Sequence, residues 1–367
     1  MSVHHEQRRV AYNFEYEKRL KACFIGAGGH SYRNVYPTMR YAPVDLVAVC
    51  DVDGARAREY ARIFGAEGSY SDHRAMLANE KPDIVFIVTG YHPDGRVQAT
   101  DIALDALASG VHVWMEKPTA ASLAEVKQLE AASIRYNRQC MTGLKKMFFP
   151  AIEKLKDIIA SDAFGRLSSL YVRYPQALPR EADRADLPKM QSFLDHIYHP
   201  VSILHFIAGP VARASYEWEP VNGACVASLK FQSGAIGTLH FAAGQSGSSP
   251  LERVEAIGEK ANAVVDNGVH LRYYRRAELP AYGRAASFIQ NDDAAPIFWE
   301  PECSLGQLYN NNMFYLGYAP EVLHFCEAVL NGKSIAKGTL ETAAEVMRLY
   351  DFFATTPAGV VKSLAAE

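Results

Sequence analysis

The first 145 or so residues alternate short, uniformly apolar runs with stretches of helical periodicity, and this rhythm narrows the possible folds more than any other feature. The runs are LKACFI (20–25), VDLVAVCD (44–51), DIVFIVT (83–89), VHVWM (111–115) and QCMTGL (139–144). Between them lie a helical stretch reaching about residue 41, a helix over 53–64 stopped by Gly65, and a short helix after Ser71. A helix over 96–109 stopped by Gly110 and another over 122–137 follow. Strands apolar along their whole length must be covered on both faces, so the pattern predicts an α/β domain with a doubly wound parallel sheet.

After Pro150 the rhythm changes. A helix near 151–160 leads into GRLSSLYVRYPQA, and two alternating runs flank Ser233-Gly234 as a hairpin would. Further alternating segments at 252–257, 261–265 and 268–274, then helical periodicity at 318–331 and 340–353, predict an α+β domain. Its large, mostly antiparallel sheet should leave one face open. The organisation read from these changes is an arm (1–18), a first domain (19–143) and a second domain (144–367).

Composition matters chiefly for what it excludes. Lys plus Arg number 38 against 41 Asp plus Glu, so no basic excess exists to hold a nucleic acid backbone. The six cysteines, Cys23, Cys50, Cys140, Cys225, Cys303 and Cys326, show no metal-type spacing and read as reduced, mostly buried thiols. The polar opening segment is not a secretory signal, and no run approaches the ~18 apolar residues of a membrane span. A soluble, cytoplasmic protein without membrane or nucleic acid partners is expected.

Gly26-Ala27-Gly28-Gly29-His30-Ser31 follows the first strand, where a dinucleotide site needs a tight turn and bare backbone beside the pyrophosphate. Ser31 stands where the third glycine of G-x-G-x-x-G would fall. Asp51 ends the second strand near the ~20-residue distance expected of the acid that bonds the adenosine ribose. The reading without function is a helix cap beside Asp53. A carboxylate there repels the extra phosphate of NADP, so NAD is the expected cofactor, although Arg56 and Arg58 lie close in sequence.

Glu116-Lys117-Pro118 follows VHVWM, whose end faces the same crevice. With the glycine loop, the acid after the second strand and an A-L-x-x-G-x-H-V stretch in the same order, the chain resembles the glucose-fructose oxidoreductase, inositol dehydrogenase and MocA (Gfo/Idh/MocA) family over about residues 20–360. The resemblance implies a Rossmann dinucleotide domain and a nicotinamide-dependent oxidoreductase of sugars or polyols. It implies cofactor contacts from Gly26, Ala27, Gly28, Gly29, His30, Asp51, Thr89, Glu116 and Lys117. Tyr91 and His92 lie in a loop longer than the family's T-P-N-x-x-H form.

Members of the family carry D-x-x-x-H-x-x-D early in the second domain, and Asp195-His196-Ile197-Tyr198-His199-Pro200-Val201-Ser202 matches it at Asp195 and His199. Ser202 replaces the last acid. Pro200 cannot sit comfortably inside a helix, so a helix over about 200–208 with His199 near its start is expected. A hydroxyl being oxidised must lose its proton, and an imidazole titrating near ~6.5 can take it. His199 is therefore the expected general base, Lys117 the cation beside the developing alkoxide, and Asp195 a substrate or imidazole anchor. Asp195, His196 and His199 read less well as a metal cluster, since no third element joins them. Lys145, followed by Lys146, leaves the last strand of the first domain and either projects to the substrate or is solvated. We count Lys145 among the substrate contacts, with Lys117, Asp195 and His199.

The expected activity is NAD-dependent transfer of hydride between a secondary hydroxyl of a sugar, glycoside or cyclitol and the nicotinamide, without metal. Two alternatives stay open: glycoside cleavage through transient oxidation at C3, and a nucleotide and sugar sensor without turnover. The segment YNNNMFYLGY at 309–318 suits either carbohydrate stacking or a subunit contact. By resemblance, the open sheet should pair copies of the chain into a homodimer or homotetramer.

Overall fold

The computed structural model describes residues 16–276, 295–302 and 312–364. Most of the expected arm, Cys303 and the start of the aromatic segment lie outside these residues. In the first half, β1 (Leu20–Ile25), β2 (Val44–Cys50), β3 (Gly68–Tyr70), β4 (Ile84–Ile87), β5 (His112–Glu116) and β6 (Cys140–Gly143) form one six-stranded parallel sheet in the order β3-β2-β1-β4-β5-β6. The order reverses beside β1, which places a crevice at the carboxyl ends of β1 and β4.

Helices α1 (Gly54–Phe64), α2 (His73–Glu80), α3 (Gln98–Ala108) and α4 (Leu123–Tyr136) connect these strands. Their limits follow local chemistry: Asp53, Asp72 and Ser122 cap first turns, while Gly65 and Asn137 end helices in the left-handed region. The stretch after the glycine loop departs from the expected helix. It runs as a π turn, Ser31–Val35, followed by a 3-10 turn, Tyr36–Arg40. Aromatic packing accompanies the irregular turns, with Tyr36 stacked 3.8 Å from Phe24 and 4.3 Å from Phe64.

The second half begins with α5 (Pro150–Ile159), β7 (Ser169–Tyr174) and α6 (Leu187–Ala208). Strands β8 (Val211–Trp218), β9 (Cys225–Phe231), β10 (Ile236–Phe241), β11 (Arg253–Ile257), β12 (Asn262–Asp266), β13 (His270–Tyr274), β14 (Ile297–Trp299) and β15 (Lys362–Ser363) complete a nine-stranded sheet. Its order is β14-β13-β12-β11-β7-β10-β9-β8-β15, and only the β7–β10 pairing among those described is parallel. The expected β9–β10 hairpin turns at Ser233-Gly234. Leu170, Val172 and Tyr174 alternate toward α6, where Phe193 meets Phe241 and Phe353 at 5.3 and 5.9 Å.

The helix expected over about 200–208 is instead the last part of α6, which starts at Leu187 behind an Asp186 cap and keeps Pro200 inside it. Pro200 removes one main-chain donor. Burial of Met190, Phe193, Leu194, Ile197 and Tyr198 before it, and Val201 and Leu204 after it, holds the helix together across the gap. Two final helices, α7 (Tyr318–Leu330) and α8 (Leu340–Thr355), return to the first half. Helix α7 packs on β5 and β6, and α8 on α4 and α6. Among the described residues, no helix is long and apolar enough to cross a membrane.

Candidate active site

Gly26 brings β1 and β4 close. Its φ is 110°, and a Cβ there would lie 1.8 Å from the Val88 carbonyl oxygen, so only glycine fits. The turn beyond it is tied by Ser31, whose Oγ donates toward the Gly28 and Gly26 carbonyls at 2.8 and 3.1 Å and accepts from Gly28 N–H. Ser31 therefore closes the loop from within, at the place where the familiar motif has glycine. Ala27 is buried in the turn and donates its N–H to Asp51 Oδ2 at 2.8 Å.

Gly26, Gly28, Gly29, His30, Asp51 and Thr89 line one cleft of about 550 Å³. A Cβ at Gly28 would meet nothing within 4 Å, and Thr89 Oγ1 is buried without a hydrogen-bond partner. Bare backbone and an unpartnered hydroxyl at the carboxyl ends of β1 and β4 fit a dinucleotide. Asp51 Oδ1 also accepts from Asp53 N–H and from Arg56 Nη2 at 3.0 Å. The cap of α1 is Asp53, which leaves Asp51 to organise the loop and face the cleft.

Lys117, after β5, and Asp195, on α6, come from separate halves of the chain and meet: Lys117 Nζ lies 2.9 Å from Asp195 Oδ1. The Lys117–Pro118 peptide is cis. His199 follows Asp195 one turn later on the continuous α6, with its ring centroid 5.8 Å from that of Tyr174. Burial, then the ammonium groups of Lys146, Lys117 and Lys145, push the His199 imidazole well below its ordinary value near 6.5. It is neutral at pH 7. Ser202 Oγ donates back to the His199 carbonyl at 3.0 Å, so its hydroxyl is used within the helix. His196 points its Nδ1 to the Ser192 carbonyl at 2.8 Å. Among the described residues, no three His, Cys, Asp or Glu side chains gather as a metal site.

Tyr91 belongs to this cluster through its hydroxyl, 3.5 Å from Asp195 Oδ1, a contact its long loop had concealed in the sequence. Buried Lys146 pairs with Glu252 on the approach to β11 and lies 5.1 Å from the Tyr174 ring centroid. Lys145 reaches the Tyr318 hydroxyl at 2.8 Å, and burial followed by the Lys146 charge lowers its proton affinity. Glu116 turns inward, with Oε1 3.2 Å from His30 Nε2. Glu252 and Glu321 had no signal in the sequence, and Tyr318 only as the end of the aromatic segment, because the folding back of α7 and the loop before β11 place them.

The chain matches two family models, one described as an oxidoreductase family with an NAD-binding Rossmann fold over residues 20–144, the other as the GFO/IDH/MocA C-terminal domain over residues 152–264. It is similar to the scyllo-inositol 2-dehydrogenase (NAD(+)) of Bacillus subtilis, 25% identical over 337 residues, covering 87% of this chain and 88% of that protein. The D-apiose dehydrogenase of Paraburkholderia graminis is 29% identical over 209 residues, 56% of this chain and only 54% of its own length. Among solved structures, an oxidoreductase from Agrobacterium radiobacter in complex with NAD+, L-tartaric acid and magnesium superposes with a TM-score of 0.75 at 17% identity. That superposition covers 95% of this chain and 99% of the other, and shows a shared fold.

Proposed function

Because the chain belongs to the Gfo/Idh/MocA family of NAD-binding oxidoreductases, we propose that it oxidises a secondary hydroxyl of a sugar, glycoside or cyclitol to a ketone, or catalyses the reverse. The observation that carries this reading is the contact of Lys117 with Asp195, 2.9 Å across the two halves, with His199 one turn further along α6. Gly26, Gly28, Gly29, His30, Asp51 and Thr89 would hold NAD, which supplies the hydride acceptor. The names of relatives acting on scyllo-inositol and D-apiose support a polyhydroxy substrate.

Neutral His199 takes the hydroxyl proton at its free ring nitrogen. The Lys117 ammonium stabilises the negative oxygen that develops, and Asp195 holds that ammonium in place. Asp195 also has lone pairs left for an adjacent substrate hydroxyl. A panel of sugars, glycosides and cyclitols, followed by absorbance of the reduced cofactor, tests the proposal. At least one should reduce NAD with the wild type and fail to do so with His199→Ala. Release of an aglycone without accumulation of NADH would instead assign the site to cleavage through transient oxidation.

We infer in addition that the open face of the second sheet seats a second copy of the chain. Val226, Ile236 and Ile257 are exposed on strands whose alternate residues are buried. Pairing of Ile236 with Ser169, and of Ser169 with Ile257, sets both isoleucines on one face.

A further inference from the structure

A second hollow lies about one helical turn before Asp195 and His199 on α6, and the proposed reaction does not use it. Pro175, Gln176, Ala177 and Pro179, in the loop after β7, face Ser192 and His196 of α6 across about 290 Å³. Both walls continue those of the candidate active site. Tyr174, whose ring centroid lies 5.8 Å from that of His199, is followed at once by Pro175. The His196 ring centroid lies 6.5 Å from those of both His199 and Tyr174. Ser192 and His196 stand four residues apart on α6, in the row that leads on to His199.

The hollow is braced before anything enters it. Two prolines stiffen the loop, Leu178 N–H donates to the Gly223 carbonyl at 2.8 Å, and the Leu178 carbonyl accepts from Trp218 Nε1 at 3.2 Å. Gln176 Nε2 donates to the Phe193 carbonyl at 2.9 Å, which ties the loop to α6 and fixes the orientation of the amide. The other end of that amide, Oε1, is buried without a hydrogen-bond partner, in a side chain that is itself only 8% exposed. His196 donates from Nδ1 to the Ser192 carbonyl at 2.8 Å, so the neutral ring keeps Nε2 as an acceptor.

The lining therefore offers apolar proline and alanine surface and two acceptors, with no Lys or Arg among the described residues that form it. An anion would meet no cation there, and an alkyl chain would leave the Gln176 oxygen unsatisfied. A ring with C–H faces and hydroxyl donors answers both halves of the lining. We propose that this hollow seats a second sugar ring, joined through a glycosidic oxygen to the ring that is oxidised, so that the substrate is a disaccharide or longer glycoside. Hydroxyls of the second ring donate to Gln176 Oε1 and His196 Nε2, and its C–H face lies on Pro175 and Pro179. The proposal rests on the reading above that His199 and Lys117 face the sugar that loses hydride, and it adds which class of sugar that is.

Three pairs of probes test it: glucose with cellobiose, galactose with lactose, and xylose with xylobiose. At saturating NAD+, at least one disaccharide should show kcat/KM about tenfold or more above that of its monosaccharide. Ser192→Trp sets an indole into the hollow from an exposed helix position and should abolish that preference. If this variant does not fold, Ala177→Phe fills the hollow from the exposed loop opposite and replaces it. No preference in any pair, a preference unchanged in the filled variant, or better use of octyl β-glucoside than of cellobiose overturns the second ring. Reduction of NAD+ by monosaccharides without such a preference leaves the proposed activity standing. If no probe is oxidised, calorimetric titration with the same disaccharides, with and without NADH, decides. Binding that the filled variant loses upholds the hollow while the proposed activity falls, and absence of binding overturns both.

Discussion

His199 owes its neutrality to its neighbours. With burial and then three lysines disfavouring an added proton, the imidazole is unprotonated at pH 7 and open to a proton, though a weaker base than a solvated histidine. Replacing it with Ala should lower kcat by about 10²–10⁴ while leaving NAD affinity unchanged, as measured by steady-state kinetics and cofactor titration. The acidic limb of kcat/KM for the wild type should fall below pH 6.5, and a limb centred above 7 would assign the base elsewhere. Asp51→Ala should loosen the glycine loop, because Ala27 N–H loses its acceptor, and weaken NAD binding. Tighter binding of NADPH than NADH by the wild type would show that Arg56, already beside Asp51, decides the choice. Lys117, Asp195 and His199 were singled out through the resemblance to family motifs, since by type alone a loop lysine reads as a solvated charge and a lone histidine as a cap. Glu321 was not, since a glutamate on an amphipathic helix looks solvated until the packing buries it.

Helix α6 positions half of the site, and its proline shows where local rules yield. An internal proline costs about 3 kcal/mol relative to alanine, yet the apolar face of a 22-residue helix outweighs it. Pro200→Ala should restore a donor to the His196 carbonyl and raise Tm despite some lost packing. Because the pitch beside His199 changes, kcat should fall at the same time, and a calorimetric scan with kinetics checks both. The elements readable in advance were those with their own signals, such as the Asp53 cap and Gly65 stop of α1. The π and 3-10 turns after the loop had none: Tyr36 packs between Phe24 and Phe64 in a way that only the assembled sheet provides.

For the whole molecule, the open nine-stranded sheet makes association measurable. Light scattering should give a dimer or larger assembly, and Ile236→Glu with Ile257→Glu should reduce its mass by placing charges on a face where both side chains are exposed. Acid should destabilise the fold. Burial holds His112 down at about 4 and also lowers His199, His205, His240 and His324. The unfolded chain, with histidines near ~6.5, then binds more protons, so stability is retained above that pH and falls as pH drops through it. Glu321 and Asp351, both raised by burial, act in the opposite direction but are fewer. Tm measured at pH 7 and pH 5 should therefore be lower at pH 5.

Periodicity and turn chemistry act between residues close in the chain, so the parallel sheet, its glycine crossing, the hairpin and most helix ends were determined by sequence alone. The candidate lysine, acid and imidazole were singled out by resemblance to family motifs, not by periodicity. The proximity of Lys117 to Asp195, the return of α7 onto β5 and β6, and the enclosure of Glu321 were decided by tertiary structure. These depend on which surfaces exclude water together, and burial of that kind is a property of the packed whole, with no local pattern to announce it.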